Sequence, residues 1–133
     1  MKKKCPCGSA RDYNNCCGKF IKGEAFPNTA EELMRSRYTA FVKMEVDYLV
    51  DTSWPENRTA QDRREIKEHS KDIQWVGLEI VKTEKGQKED QKGGVEFKAY
   101  YLNKDGKGGL HHENSEFRKQ DGKWYYVKGV FLT

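Results

Sequence analysis

Apolar and polar positions repeat with a helical period from residue 29 and with a period close to two from residue 74. Thr29-Ala30-Glu31-Glu32 has capping-box form, in which the Thr29 hydroxyl and the Glu32 carboxylate each satisfy an amide left free at a helix start. A helix is therefore expected over 30–44. Its apolar stripe is Ala30, Met34, Phe41, Met44 and, beyond it, Tyr48, with Arg37 near the centre. Asp47 is placed to cap a short helix through Tyr48, Leu49 and Val50, which Trp54-Pro55 ends, and Thr59 to cap a polar third helix reaching about residue 71.

The second half reads as strands. Val76, Leu78 and Ile80 alternate on one, and Val95, Phe97, Ala99 and Tyr101 on the next, after a charged turn over 85–94. Turns at 103–109 and at Asp121-Gly122 separate two more strands near 110–119 and 123–131. A run of helices followed by a run of strands argues for an α+β domain, three helices packed on a four-stranded antiparallel sheet. A shift in composition after Gly23, and a hinge at Phe26-Pro27-Asn28, divide the chain into 1–23 and 28–133.

The first segment raises a different question, because all four cysteines of the 133-residue chain fall within its first twenty residues, MKKKCPCGSARDYNNCCGKF. Cys5 and Cys7, then a polar loop, then Cys16 and Cys17, make two ligand pairs of the kind that zinc takes in a closed tetrahedral site. A piece this small cannot bury a useful core, so ligation would supply its folding energy. Lys2, Lys3, Lys4, Arg11 and Lys19 surround the cluster and favour thiolates. The competing readings are two disulfides or four idle thiols; adjacent Cys16 and Cys17 could pair with each other only through a strained ring. Iron-sulfur spacings differ from this one. Nothing is apolar enough to cross a membrane, and no signal-type apolar stretch follows the basic start, so a cytoplasmic protein is expected. The formal charge of +4 falls to about +2 with four thiolates and one zinc ion, too little to argue for nucleic acid.

The stretch CPCGSARDYNNCCG at 5–18 resembles the SEC-C motif, a small zinc module found at the C-terminus of the bacterial translocation motor SecA and attached to many other bacterial proteins. The resemblance implies Cys5, Cys7, Cys16 and Cys17 as ligands. SecA usually has histidine as the last ligand; many stand-alone versions carry the Cys-Cys pair seen here. Further on, LMRSRYTAF at 33–41, DYLV at 47–50, VEFKAY at 95–100, HENSEF at 112–117 and GKWYY at 122–126 resemble the YchJ-type family of uncharacterised bacterial proteins. That family joins an N-terminal SEC-C motif to a domain similar to the nuclear-transport-factor-two-like fold. The likeness implies a cone in which a strongly bent sheet wraps a long helix and leaves a cavity, an active site in some relatives and a binding surface in others.

Strand alternation puts His111, Glu113 and Ser115 on the face shared with Phe117, which makes Glu113 the natural partner of Arg37. Two roles stand open for this pair. One is a buried bridge fixing helix to sheet. In the other, Glu113 is a general base assisted by His111 or His112, with Arg37 binding an anion. His112 should face the opposite side of the strand, and His69 lies on the polar helix. Trp54, Trp75, Trp124, Tyr100 and Tyr126 read as core or rim before they read as a stacking platform. Two functions follow. The first is a non-enzymatic zinc-binding adaptor that meets a protein or ribonucleoprotein partner through the module, with translation and export suggested by the SecA likeness. The alternative is a small cone-fold enzyme, an isomerase, dehydratase or hydrolase, using Glu113.

Overall fold

A computed structural model describes residues 3–132; Met1 and Lys2 of the basic start, and Thr133 at the end of the body, lie outside the described residues. The N-terminal segment holds a single 3-10 turn, Tyr13–Asn15, and a short helix α1, Cys17–Ile21. The body follows with α2 Ala30–Lys43, α3 Val46–Asp51, a 3-10 turn Pro55–Asn57, and α4 Asp62–Ser70. Four antiparallel strands complete it: β1 Gln74–Lys85, β2 Lys92–Leu102, β3 Gly108–Gln120 and β4 Lys123–Phe131, paired in sequence order. The fold is α+β, as the change of period predicts.

Helix α2 starts where its cap places it. The Thr29 hydroxyl accepts from the Glu32 amide at 3.1 Å, a contact generally worth about 1 kcal/mol. Glu32 reaches past the cap and accepts from the Asn28 amide at 2.7 Å, so both free amides are satisfied by a looser version of the expected box. At the other end Met44 turns left-handed, φ 56°, and is exposed; it caps the helix instead of extending the apolar stripe. Asp47 sits inside the first turn of α3, whose cap is Glu45. Thr59 precedes α4 by three residues, and its amide and hydroxyl both donate to the Asp62 carboxylate at the true helix start.

The strands keep the expected inward residues on β2, where Val95, Phe97 and Ala99 are buried. On β1 the alternation slips. Pairing steps from Trp75 opposite Tyr101 to Gly77 opposite Tyr100, so Val76 is an extra, bulged residue and points out at 52% exposure. Trp75 takes the inward place beside Leu78 and Ile80. A second irregularity follows Ile80, and a third lies opposite Glu116–Phe117, where Val127 is the extra residue on β4. Such bulges bend strands and increase their twist, which lets this sheet curl around α2. The segment after α3 covers part of the β4 edge: Trp54 donates to the Tyr126 carbonyl and Tyr126 to the Thr52 carbonyl, each at 2.8 Å.

Helix α2 is buried on two sides. Met34, Arg37 and Tyr38 face the sheet, while Thr39, 0% exposed, reaches the cysteine module. The core formed by Leu33, Val95, Phe117 and Trp124 is continuous with all four cysteines. Each large apolar side chain buried this fully contributes about 1.5–3 kcal/mol.

Candidate metal centre and cone cavity

The cysteine cluster is built by two short pieces of chain. A small hairpin, with Cys5 donating to the Arg11 carbonyl at 2.8 Å and Tyr13 to the Lys3 carbonyl at 2.9 Å, holds the first pair; the second opens α1. Gly18 is required behind it, because a Cβ there would stand 2.8 Å from the Tyr13 carbonyl oxygen and 2.9 Å from its ring. The four ligand sulfurs lie within 4.8 Å of one another, with Cys7 and Cys16 3.6 Å apart and Cys16 and Cys17 4.0 Å apart. Four sulfurs placed about 2.3 Å from one zinc ion stand about 3.8 Å apart, so the cluster has the dimensions of a tetrahedral site. All four are free cysteines, and all are buried, at 0–8% exposure.

Electrostatics point the same way. Four crowded sulfurs resist carrying charge together. Cys7 is drawn far below the ordinary thiol value by hydrogen bonds from Cys17 and Cys5, while contacts with Cys5 and Cys7, and burial, push Cys17 far above it. A central cation removes that conflict. The cluster can therefore bind a metal ion. Outside the sulfurs, Ser9 Oγ stands 3.1 Å from Cys16 Sγ and Thr39 Oγ1 3.7 Å from Cys5 Sγ, and Arg35 donates to the Cys7 carbonyl at 2.8 Å. Thr39 and Arg35 belong to α2, so the module is docked on the body by the same shell that orients the ligands.

The other side of α2 faces a cavity of about 190 Å³. Arg37 and Glu113 both line it, as their shared inward direction predicts, but the direct bridge between them is not formed. Arg37 Nη1 donates to the Leu49 carbonyl at 2.8 Å and to Thr52 Oγ1 at 2.6 Å, and its guanidinium lies 4.6 Å from the centre of the Tyr126 ring. Glu113 accepts instead from the Tyr126 hydroxyl at 3.2 Å, from the Ser115 hydroxyl, and at 2.8 Å from His111 Nε2. Tyr126 thus connects the two charges, its ring against the cation and its hydroxyl on the carboxylate. Burial draws the Arg37 pKa down to about 10, which leaves it charged at neutral pH. Burial alone would raise the Glu113 carboxyl, but the hydrogen bonds from His111 and Ser115 outweigh it and hold the group below its ordinary value. Three donors, and not Arg37, hold the Glu113 carboxylate.

The remaining aromatic and histidine candidates separate by position. Trp75 and Tyr126 line the cavity; Trp124 is core at 3% exposure; Trp54 packs edge-on against Tyr125; Tyr100 lies on the outer face, donating to Glu79. His112 faces away and meets Glu96 at 2.8 Å. His69 is exposed, at the cavity rim. Sequence reasoning missed Leu49 and Thr52, which take the guanidinium, and Gly129; it named Tyr126 as core or rim without its place between the two charges. A Cβ on Gly129 would fall inside the Glu113 carboxylate, so glycine is what makes room for that group. A glycine inside a strand was the available signal.

Comparison with known proteins decides the family. Residues 29–129 match the family model described as "YchJ, middle NTF2-like domain". A UPF0225 protein of Geobacter sulfurreducens is 43% identical over 129 residues, covering 97% of this chain and 80% of that one. The chain belongs to the YchJ family. Another UPF0225 relative, from Haemophilus influenzae, is 44% identical over 125 residues, with coverage of 94% and 76%. Among solved structures, a SEC-C motif containing protein from Rhodopseudomonas palustris superposes with a TM-score of 0.89 at 32% identity, covering 98% of this chain and all of that one. One from Psychrobacter arcticus gives 0.78 at 30% identity, covering 98% and 84%. This YchJ-family chain therefore combines a SEC-C-type cysteine cluster with an NTF2-like domain. Among the described residues no helix is long and apolar enough to cross a membrane.

Proposed function

We propose that Cys5, Cys7, Cys16 and Cys17 hold one structural zinc ion and that the protein is a zinc-binding adaptor. The observation that carries this reading is the burial of all four sulfurs within 4.8 Å of one another, which fills a tetrahedral shell and leaves no position for a reactive water. Such a site stabilises structure. Lys4, Arg11 and Lys22 are exposed around it and give the module a basic outer surface. That surface suits an acidic patch on a protein or ribonucleoprotein, and the likeness to SecA's module points to the translation or export machinery. Four free thiols suit a reducing compartment, the cytoplasm. The test is capture from bacterial lysate by the intact protein, by Cys16→Ser, and by an Arg11→Glu/Lys22→Glu variant. The charge variant should keep one zinc per chain yet lose the partners; equal capture by all three proteins would contradict the adaptor.

A second reading is favoured by one observation: Arg37 and Glu113 line a cavity and leave it unbridged. Here the cone takes a small molecule, as the adaptor's second ligand or as a substrate. In an enzyme of this kind His111, oriented by Glu113, would carry the proton, because Glu113 already accepts from three donors.

A further inference from the structure

We infer that the cone cavity is a binding site for a small carboxylate with a single aromatic ring or a short apolar chain, anchored by Arg37. The inference rests on the second reading above, that the cone takes a small molecule, and adds which one by class.

Size limits the ligand first. A dry cavity of about 150 Å³ takes benzene. This one, at about 190 Å³, takes a ring with one small head group. The wall chooses the body of the ligand. Met34, Phe41, Trp75 and Phe97 present apolar and aromatic surface, and Ala99, with only a methyl group, leaves room beside them.

Charge chooses the head. Arg37 is buried, and its recorded hydrogen bonds both leave from Nη1 and both end on neutral acceptors. Its Nε and Nη2 donate to no described residue. A guanidinium held without a carboxylate partner is ready for an anion, and the planar fork fits a carboxylate with two parallel hydrogen bonds. Glu113 does not supply that anion, since its oxygens are taken by His111, Ser115 and Tyr126. The Tyr126 ring and hydroxyl stand between the two charges, so a small head can meet the cation without lying against the buried carboxylate. A carboxylate brings the acceptor oxygens that Arg37 lacks.

The experiment titrates the zinc-loaded full chain with benzoate and with its neutral isostere benzamide, followed by calorimetry and by amide chemical shifts. Benzoate should bind with Kd of about 1 mM or tighter, and benzamide at least about tenfold more weakly. Ala99→Leu, which fills that room with an apolar side chain, should abolish binding of both. Arg37→Met should erase the preference for benzoate; if that variant fails to fold, the comparison of the two ligands on the unaltered protein still decides the head group. Equal affinity for the two ligands would overturn the anion anchor while leaving a small-molecule cavity. Benzoate binding that survives Ala99→Leu would put the ligand elsewhere and overturn the assignment. No binding of either ligand would overturn both the inference and the reading beneath it.

Discussion

The two sides of α2 bury polar chemistry in opposite ways. On one, Cys5, Cys7, Cys16 and Cys17 crowd within 4.8 Å of one another, all buried, with the dimensions of a tetrahedral metal site. On the other, Arg37 and Glu113 are each satisfied separately, with a void beside them. A closed set of ligands makes structure; charges held apart beside a void keep capacity for something else. One helix positions both, through Thr39 and Arg35 on the module side and Arg37 on the cavity side.

Breaking the closed side should have the largest effect. Structural zinc contributes on the order of 10 kcal/mol to small modules, so Cys16→Ser, or chelation, should unfold the N-terminal segment outright. The sheet and α2 contribute no ligand, so the far-UV signal of the body should persist. Melting of the whole chain on chelation would mean that the two sides fold as one unit.

On the open side, Glu113→Ala strands three donors and empties volume, which should cost about 3 kcal/mol in chemical denaturation. Arg37 and Glu113 do not touch but share Tyr126, so combining this change with Arg37→Met should leave a partial coupling on the order of 1 kcal/mol. A larger coupling would restore the direct bridge. Gly129→Ala should cost about 2 kcal/mol, since the added methyl must displace the Glu113 carboxylate; a neutral result would show that the carboxylate lies elsewhere.

The smallest effect is in pH. The Glu113 carboxyl is held below its ordinary value, so its contribution to stability is complete above the unfolded-state value of about 4.3 and is lost as pH falls through the lower folded value. The stability gap between the natural protein and Glu113→Gln should narrow as pH falls below about 4.3. A gap that instead widened on acidification would reverse the sign of that shift.

These two sides also differ in how far the sequence reveals them. The cysteine ligands lie within thirteen residues, and spacing alone brings them together. The cavity draws on α2, α4 and all four strands, and no local pattern says that Thr52 rather than Glu113 receives the guanidinium. Inward alternation placed His111, Glu113 and Ser115 correctly because β3 is regular there; it failed at Val76, where a bulge reverses the parity and the adjacent Gly77 was the signal to read. Helix starts were legible where a hydroxyl cap stood alone, at Thr29, and shifted where neighbouring acids competed, at Asp47 and Asp62. Thr39 is buried on α2 because the cysteine module packs over it, and no local pattern within α2 shows that.

X-ray absorption at the zinc edge, on protein purified without added metal, tests the closed site most directly. The account predicts one zinc ion per chain with four sulfur neighbours at about 2.3 Å and no oxygen or nitrogen in the inner shell. A shell of two or three sulfurs completed by water would make the site open and reactive. Protein that stays metal-free after zinc is supplied, with all four thiols titratable, would remove the metal centre altogether.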